Sequence, residues 1–187
     1  MTLYEFLLFV HITGAVIWLG GAFTFQMYGW VVRRGGDPEE MARFAGRAGV
    51  LAERMFVPAS LVVVLAGIWL IIDGNWGWDH LWVVFALVTF AASFLTGILV
   101  ISPIAKRIPV VGPTTPAGQA LIQRLFTILR IDLAFMYAIV FAMVVKPTAD
   151  EGWTIAIAVA LLLVLTAVFL APLRSASTQP PSAPATD

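Results

Sequence analysis

His11 and His80 are the only histidines of this chain, which has no cysteine. An imidazole can carry a proton or bind haem iron or another metal through a ring nitrogen. His11 lies inside the apolar stretch from Leu3 to Gly21. An ionisable side chain in such a stretch is costly unless it faces the protein interior or a ligand. His11 is therefore the first candidate for a functional site.

Three further residues share a helix face with His11, because they follow it at spacings of three and four. They are Gly14, Trp18 and Gly21. Glycines on such a face leave room for a planar ligand or for a neighbouring helix. The pattern predicts a cofactor site formed by these four residues, with His11 as the metal ligand. The alternative is tight helix packing, with His11 hydrogen-bonded to a neighbour.

A second set of candidate residues is charged and lies about one turn inside the apolar boundaries of later segments: Glu53, Arg54, Arg130 and Asp132. The side chain of Asp132 is too short to reach water from there, so it needs a partner. Arg130 is two residues away, about 200° round a helix. We therefore predict ion pairs between Asp132 and Arg54 and between Glu53 and Arg130. They are interpreted as a structural clasp, with a proton relay as the alternative.

A mildly polar stripe follows the third apolar segment: Trp82, Ala86, Thr89, Ser93, Thr96 and Val100. Hydroxyl groups in lipid usually bond to a carbonyl one turn back or to another helix. The stripe is therefore interpreted as packing between helices, with a polar pathway as the alternative. No catalytic dyad, phosphate-binding loop or nucleophile with a base is visible, so the sequence does not decide whether the protein is an enzyme.

The composition places these residues in a membrane. Of the 187 residues, 60% are hydrophobic and 12% charged, whereas an ordinary soluble domain carries about 25% charge. A bilayer-spanning helix needs roughly 20 apolar residues. Five segments meet that length, near Leu3–Val32, Ala52–Ile72, His80–Ala105, Leu125–Val145 and Trp153–Ala171.

We expect an all-α, polytopic membrane helix bundle as the fold. Residues 1–147 form its four-helix core of two tandem hairpins, residues 148–173 hold a fifth, peripheral transmembrane helix, and residues 174–187 form a disordered tail. The bundle is expected to be surrounded by the lipid bilayer. The sequence leaves open whether it forms a homo-oligomer or binds another membrane protein. Nucleic acid is not an expected partner, because no cluster of basic residues of the required kind is present.

Helix starts are marked by capping residues followed by proline. Asp37-Pro38 and Thr115-Pro116 combine an N-cap side chain with proline at the first helical position. Thr148 to Glu151 has the pattern of a capping box. The second helix is therefore predicted to begin near Pro38 and to continue into the membrane, with a bend at Pro58.

The start and end of the core resemble a known family. His11, followed after six residues by Trp18 and then by Gly20-Gly21, resembles the opening of an uncharacterised family of bacterial "predicted integral membrane proteins". Arg130-x-Asp132 and the segment 143–147 are similar to the end of that family's domain. The resemblance covers about residues 3–147. The J-type protoporphyrinogen oxidases and the copper-resistance D-type membrane proteins are similar more distantly.

In the J-type oxidases, the histidine of the first helix binds haem b. The resemblance therefore implies haem b as a cofactor here, with His11 as an axial ligand. Gly77-Trp78-Asp79-His80 resembles the Gly-Trp-x-His sequence of those oxidases. However, Trp82 stands where they usually have a lysine, and Ser93 lies near the position of a further histidine. The resemblance therefore implies haem binding more than oxidase activity.

The expected function is thus that of a haem b-associated redox membrane protein that uses His11. The alternatives are a small transporter or metal-handling protein, and a non-catalytic membrane scaffold. His80 is not favoured as a second axial ligand. Counted from the nearest basic residues, it lies about 6 Å further out than His11, at 1.5 Å rise per residue. We expect it at the membrane interface beside Trp78, with a water or another side chain completing the haem site.

The basic residues predict the orientation in a bacterial inner membrane. Ten of the eleven fall on one side of the predicted spans: Arg33, Arg34, Arg43, Arg47, Arg54, Lys106, Arg107, Arg124, Arg130 and Arg174. Only Lys146 lies on the other side. Because basic residues accumulate in cytoplasmic loops, the N-terminus is predicted outside and the C-terminus in the cytoplasm.

Single cysteines test this orientation without background, since the chain has none. A membrane-impermeant maleimide should label Trp76→Cys in intact cells, and Gly36→Cys only after the membrane is permeabilised. Labelling of position 36 from outside, or protection of position 76, would show that the orientation is reversed.

Overall fold

The computed structural model describes residues 1–148 and positions 150, 153, 154, 156, 157 and 160. Four long helices are found there: α1 (Leu3–Gly35), α2 (Pro38–Asp73), α3 (Leu81–Val111) and α4 (Pro116–Val145). Each is long and apolar enough to cross a membrane. The all-α fold and the first four spans are therefore confirmed. The predicted fifth span and the predicted tail fall almost entirely outside the described residues.

The helices begin at capping residues. The Asp37 side chain accepts a hydrogen bond from the backbone N–H of Glu39 at the start of α2. Thr115 accepts one from the N–H of Gly118 at the start of α4. Both predicted starts are confirmed, with proline at the first helical position in each. The predicted capping box from Thr148 to Glu151 includes residues outside the described ones.

Helices α2 and α3 each contain a short π-helical segment, which the sequence analysis did not predict. These segments are Ala52–Phe56 in α2 and Gly97–Ile101 in α3. A proline follows each of them by two residues, Pro58 and Pro103. Proline has no N–H for the helical ladder, and its ring crowds the carbonyl four residues earlier. A wider turn before the proline relieves this crowding, and π turns are found mostly as such single interruptions.

The four helices pack as two antiparallel hairpins. Helix α1 packs along the second part of α2 (Val57–Asp73), and the first part of α3 (Leu81–Thr96) packs along α4. The first part of α2 and the last part of α3 pack against each other and against α4, which joins the hairpins. We call this end of the bundle, where Arg33, Arg34 and Lys106 lie, the arginine end. The opposite end, with the connection from α2 to α3 and with Trp76, Trp78 and Trp82, is the tryptophan end.

An aromatic stack forms the core at the arginine end. The Phe44 ring lies between Phe25, at a centroid distance of 4.3 Å, and Phe126, at 5.1 Å. Gly29 of α1 lets the stack approach the helix backbone. A Cβ atom at Gly29 would lie 2.6 Å from Phe44 Cζ and 2.9 Å from Phe126 Cε1. The stack thus fixes α1 against α2 and α4.

The outward faces of the helices are apolar. Ile12 is 52% exposed and Val16 66%, and large apolar side chains on α2 and α3 are exposed in the same way. Soluble monomers rarely expose continuous apolar surface of this extent. These faces therefore contact lipid, as a membrane-embedded bundle requires.

Gly29→Ala should destabilise the bundle, because the added methyl group displaces two stacked rings. Overpacking of this kind costs about 1–3 kcal/mol. Gly20→Ala is the matched control on the same helix, since a Cβ atom there would meet nothing within 4 Å. Thermal unfolding in detergent should show a lower midpoint for Gly29→Ala only. Equal midpoints for the two variants would contradict the aromatic stack.

Candidate functional site

A cavity of about 300 Å³ opens at the tryptophan end and is bounded by all four helices. His11 lines it from α1. The other walls are mainly apolar and include Val63, Gly67, Ala86, Phe90, Ile139 and Met143. The cavity therefore combines one ionisable ring with a surface suited to an apolar ligand. We call it the tryptophan-end cavity.

A hydrogen bond to the next helix determines the orientation and tautomer of His11. Its Nδ1 lies 2.8 Å from the backbone oxygen of Val63 on α2. A carbonyl oxygen can only accept a hydrogen bond, so Nδ1 carries the proton. In the neutral ring, Nε2 is then unprotonated and keeps its lone pair. Metal-binding histidines are held in this way, with one nitrogen donating to a carbonyl and the other bound to the metal.

Two glycines allow this contact between α1 and α2. A Cβ atom at Gly67 would lie 3.0 Å from His11 Cε1, so a larger residue would push the ring aside. A Cβ atom at Gly14 would lie 2.9 Å from Val63 Cγ2. The lack of side chains at these two positions therefore brings the imidazole within reach of the α2 backbone.

The four residues predicted as a cofactor site do not line one cavity. Only His11 lines the tryptophan-end cavity. Gly14 packs against Val63, and a Cβ atom at Gly21 would collide with the Met55 side chain. Trp18 is 6% exposed and lies against Phe90, at a centroid distance of 5.5 Å. The structure thus places Gly14 and Gly21 in the packing of α1 against α2, which was the alternative interpretation of this face.

Lys146 and two tryptophans lie at the mouth of the tryptophan-end cavity. The Lys146 ammonium nitrogen is 4.2 Å from the ring centroid of Trp76 and 5.4 Å from that of Trp82. Such cation–π contacts hold a lysine over an aromatic face while leaving its hydrogens available. The sequence analysis placed Trp82 on the polar stripe of α3 and used Lys146 only for the orientation, so it did not predict this contact.

His80 lies outside the cavity. It is exposed at the start of α3, and its Nδ1 is 2.9 Å from the carbonyl oxygen of Gly77. Its aromatic neighbours are Trp76 and Trp82, at centroid distances of 6.4 and 6.5 Å. Within the part of the chain that the structure describes, no group of three or more His, Asp or Glu side chains is arranged to hold a metal ion. Only His11 presents an imidazole to the cavity.

A smaller cavity of about 70 Å³ lies deeper between the helices and borders both π segments. We call it the central cavity. Its polar lining residues are Gln26, Ser60, Ser93 and Asp132. The Ser93 hydroxyl donates a hydrogen bond of 2.6 Å to Asp132 Oδ1. Of the predicted polar stripe on α3, Ser93 thus bonds to another helix, whereas Thr96 donates to the carbonyl of Ala92 on its own helix.

The predicted pairing of the four charged residues needs correction. Asp132 contacts Ser93, and no ion pair joins it to Arg54 among the described residues. Glu53 pairs with Lys106, with Nζ–Oε1 at 2.5 Å, and accepts a weaker hydrogen bond from Ser102. Glu53 and Arg54 lie within the π segment of α2 and are exposed. Arg130 is buried on α4.

The family model of DUF2269, described as "Predicted integral membrane protein", matches residues 5–147. The chain belongs to this family. The matched residues extend through all four helices of the bundle and therefore include both cavities. No curated protein and no solved structure matches the chain. The resemblance to the J-type oxidases and the copper-resistance proteins stays a prediction.

Ser93→Ala should destabilise the protein, because it leaves the buried Asp132 carboxyl without its hydroxyl donor. Leaving a buried polar group unsatisfied costs about 1–3 kcal/mol. Thr96→Ala is the control, since it removes a hydroxyl from the same helix that bonds only to its own backbone. The midpoint of thermal unfolding should be clearly lower for Ser93→Ala than for Thr96→Ala. If the two variants melt together, the Ser93–Asp132 contact does not stabilise the fold.

Proposed function

We propose that this integral membrane protein binds haem b in the tryptophan-end cavity and uses His11 as an axial ligand. The observation that carries the proposal is the hydrogen bond from His11 Nδ1 to the Val63 carbonyl. It leaves Nε2 with a free lone pair on a residue that lines an apolar cavity. A ring held in one orientation and one tautomer loses little freedom when it binds a metal.

The cavity provides a second candidate ligand, Met143 of α4. Methionine and histidine together are a known axial pair for electron-transfer haems. Met143 is half-buried and packs among apolar side chains. Met143 would therefore be the second residue that holds the haem together with His11, in the role for which His80 was not favoured.

The size and charge of the cavity suit a flat, amphipathic ligand. Its volume of about 300 Å³ is at the lower limit of ligand pockets, which range over roughly 300–1,000 Å³. Lys146 lies at the mouth, where its ammonium group can neutralise a carboxylate such as a haem propionate. Val63, Ala86 and Ile139 make the interior apolar. A bound haem would supply one-electron transfer, and these residues would pack against it.

We infer that the tryptophan end faces the outside of a bacterial inner membrane. Support comes from the basic residues, of which Arg33, Arg34 and Lys106 lie at the arginine end, and from the positive-inside rule. The cavity then opens at the outer membrane interface, where a partner that exchanges electrons or porphyrin could reach it.

Purified protein from cells supplied with a haem precursor should show a Soret band at one haem per chain. His11→Ala should abolish the band, because it removes the only imidazole that lines the cavity. His80→Ala is the matched control and should retain the full haem complement. Met143→Leu should keep haem but shift the iron from low spin towards high spin, since a thioether ligand is lost.

The proposal fails if the wild-type protein binds no haem after such expression. It also fails if His11→Ala retains full haem while His80→Ala loses it. Circular dichroism of every variant confirms that loss of the band is not loss of the helical fold.

A further inference from the structure

We propose that the central cavity is a binding site for a monovalent cation, Na⁺, which neutralises the carboxylate of Asp132. This site is distinct from the haem site, since its lining residues belong to the other cavity and none of them is His11.

The first argument is the charge of Asp132. Its side chain is only 8% exposed, in the middle of a helix that crosses the membrane. Within the described part of the chain its polar contact is the neutral Ser93 hydroxyl, and no basic side chain forms an ion pair with it. A buried carboxylate without a counter-charge is very unfavourable. A bound positive charge removes that cost.

The second argument is that the cavity presents oxygen lone pairs rather than hydrogens. The Ser93 hydroxyl hydrogen points to Asp132, and the Ser60 hydroxyl donates to the Val57 carbonyl at 2.8 Å. Both serine oxygens therefore keep lone pairs for another ligand. Hard cations such as Na⁺, Mg²⁺ and Ca²⁺ are bound by oxygen atoms of this kind.

The third argument is an unpartnered amide that lines the same cavity. Gln26 of α1 is 8% exposed, and its side chain makes no hydrogen bond with the described residues. An amide that lines a cavity offers an acceptor oxygen and two donor hydrogens to a water or an ion. Its oxygen adds a ligand from α1 to those of Ser60 on α2, Ser93 on α3 and Asp132 on α4.

The charge and volume of the cavity favour a monovalent ion. A single carboxylate balances a single positive charge, whereas Ca²⁺ takes 6–8 oxygen ligands at roughly 2.3–2.6 Å, commonly with several carboxylates. A volume of about 70 Å³ exceeds the roughly 10–15 Å³ that a single water needs in a cavity, so a small ion with water can be held there.

The two π segments, which precede Pro58 and Pro103, border the same cavity. Ala52 and Phe56 of the first and Gly97 and Ile101 of the second line the central cavity. π turns are rare and occur frequently at functional sites.

The test is thermal unfolding of the full-length protein in detergent, with Na⁺ replaced stepwise by choline at constant ionic strength. Saturating Na⁺ should raise the unfolding midpoint by about 5 °C, since a ligand that binds only the folded state stabilises it. Asp132→Asn should abolish the Na⁺ dependence. Ser60→Ala and Gln26→Ala should raise the Na⁺ concentration for half the effect about tenfold, which corresponds to one lost ligand contact.

Thr96→Ala is the matched control, because this hydroxyl also bonds to its own helix but does not line the cavity. It should keep the wild-type Na⁺ dependence. If Asp132→Asn does not fold, the Ser60 and Gln26 variants still decide the result. Equal midpoints of the wild-type protein in Na⁺ and choline would overturn the proposal. A midpoint that follows pH but not Na⁺ would also overturn it, and would assign a proton to Asp132 instead.

Discussion

The hydrogen bond between His11 Nδ1 and the Val63 carbonyl links the packing of α1 and α2 to the chemistry of the tryptophan-end cavity. It requires close approach of the two helices, which Gly14 and Gly67 allow by having no side chains. Because the carbonyl can only accept, it also fixes the proton on Nδ1. This contact thus joins the two helices of the first hairpin and leaves Nε2 of a half-buried ring able to bind a ligand.

Aromatic side chains separate this site from the central cavity. Trp18 lines the central cavity and Phe90 the tryptophan-end cavity, and their rings are in contact. The two cavities therefore share a wall but differ in chemistry. One is apolar with an imidazole, and the other has a carboxyl group among hydroxyl and amide groups. Each site is thus defined by its own residues.

The sequence was sufficient to predict the parts of the fold that depend on local signals. Apolar length identified the four helices, and the caps at Asp37 and Thr115 gave the starts of α2 and α4. The π segments were missed because Pro58 and Pro103 indicate only that the helical ladder is interrupted, not how it is repaired. The partner of Asp132 was sought among charged residues, whereas the bundle brings the neutral Ser93 to it. Lys106 was not considered as the ion-pair partner of Glu53. The reason is that α3 was expected to end at Ala105, whereas it continues to Val111.

The tautomer of His11 tests the central claim most directly. Nitrogen NMR of ¹⁵N-histidine-labelled protein in bilayers, at a pH where both rings are neutral, distinguishes a protonated from a bare ring nitrogen. A His80→Ala sample leaves the signals of His11 alone. The structure predicts a protonated Nδ1 and an unprotonated Nε2, with a proton that exchanges slowly because it is bonded to Val63. A bare Nδ1 with a protonated Nε2 would contradict the hydrogen bond and the haem site derived from it.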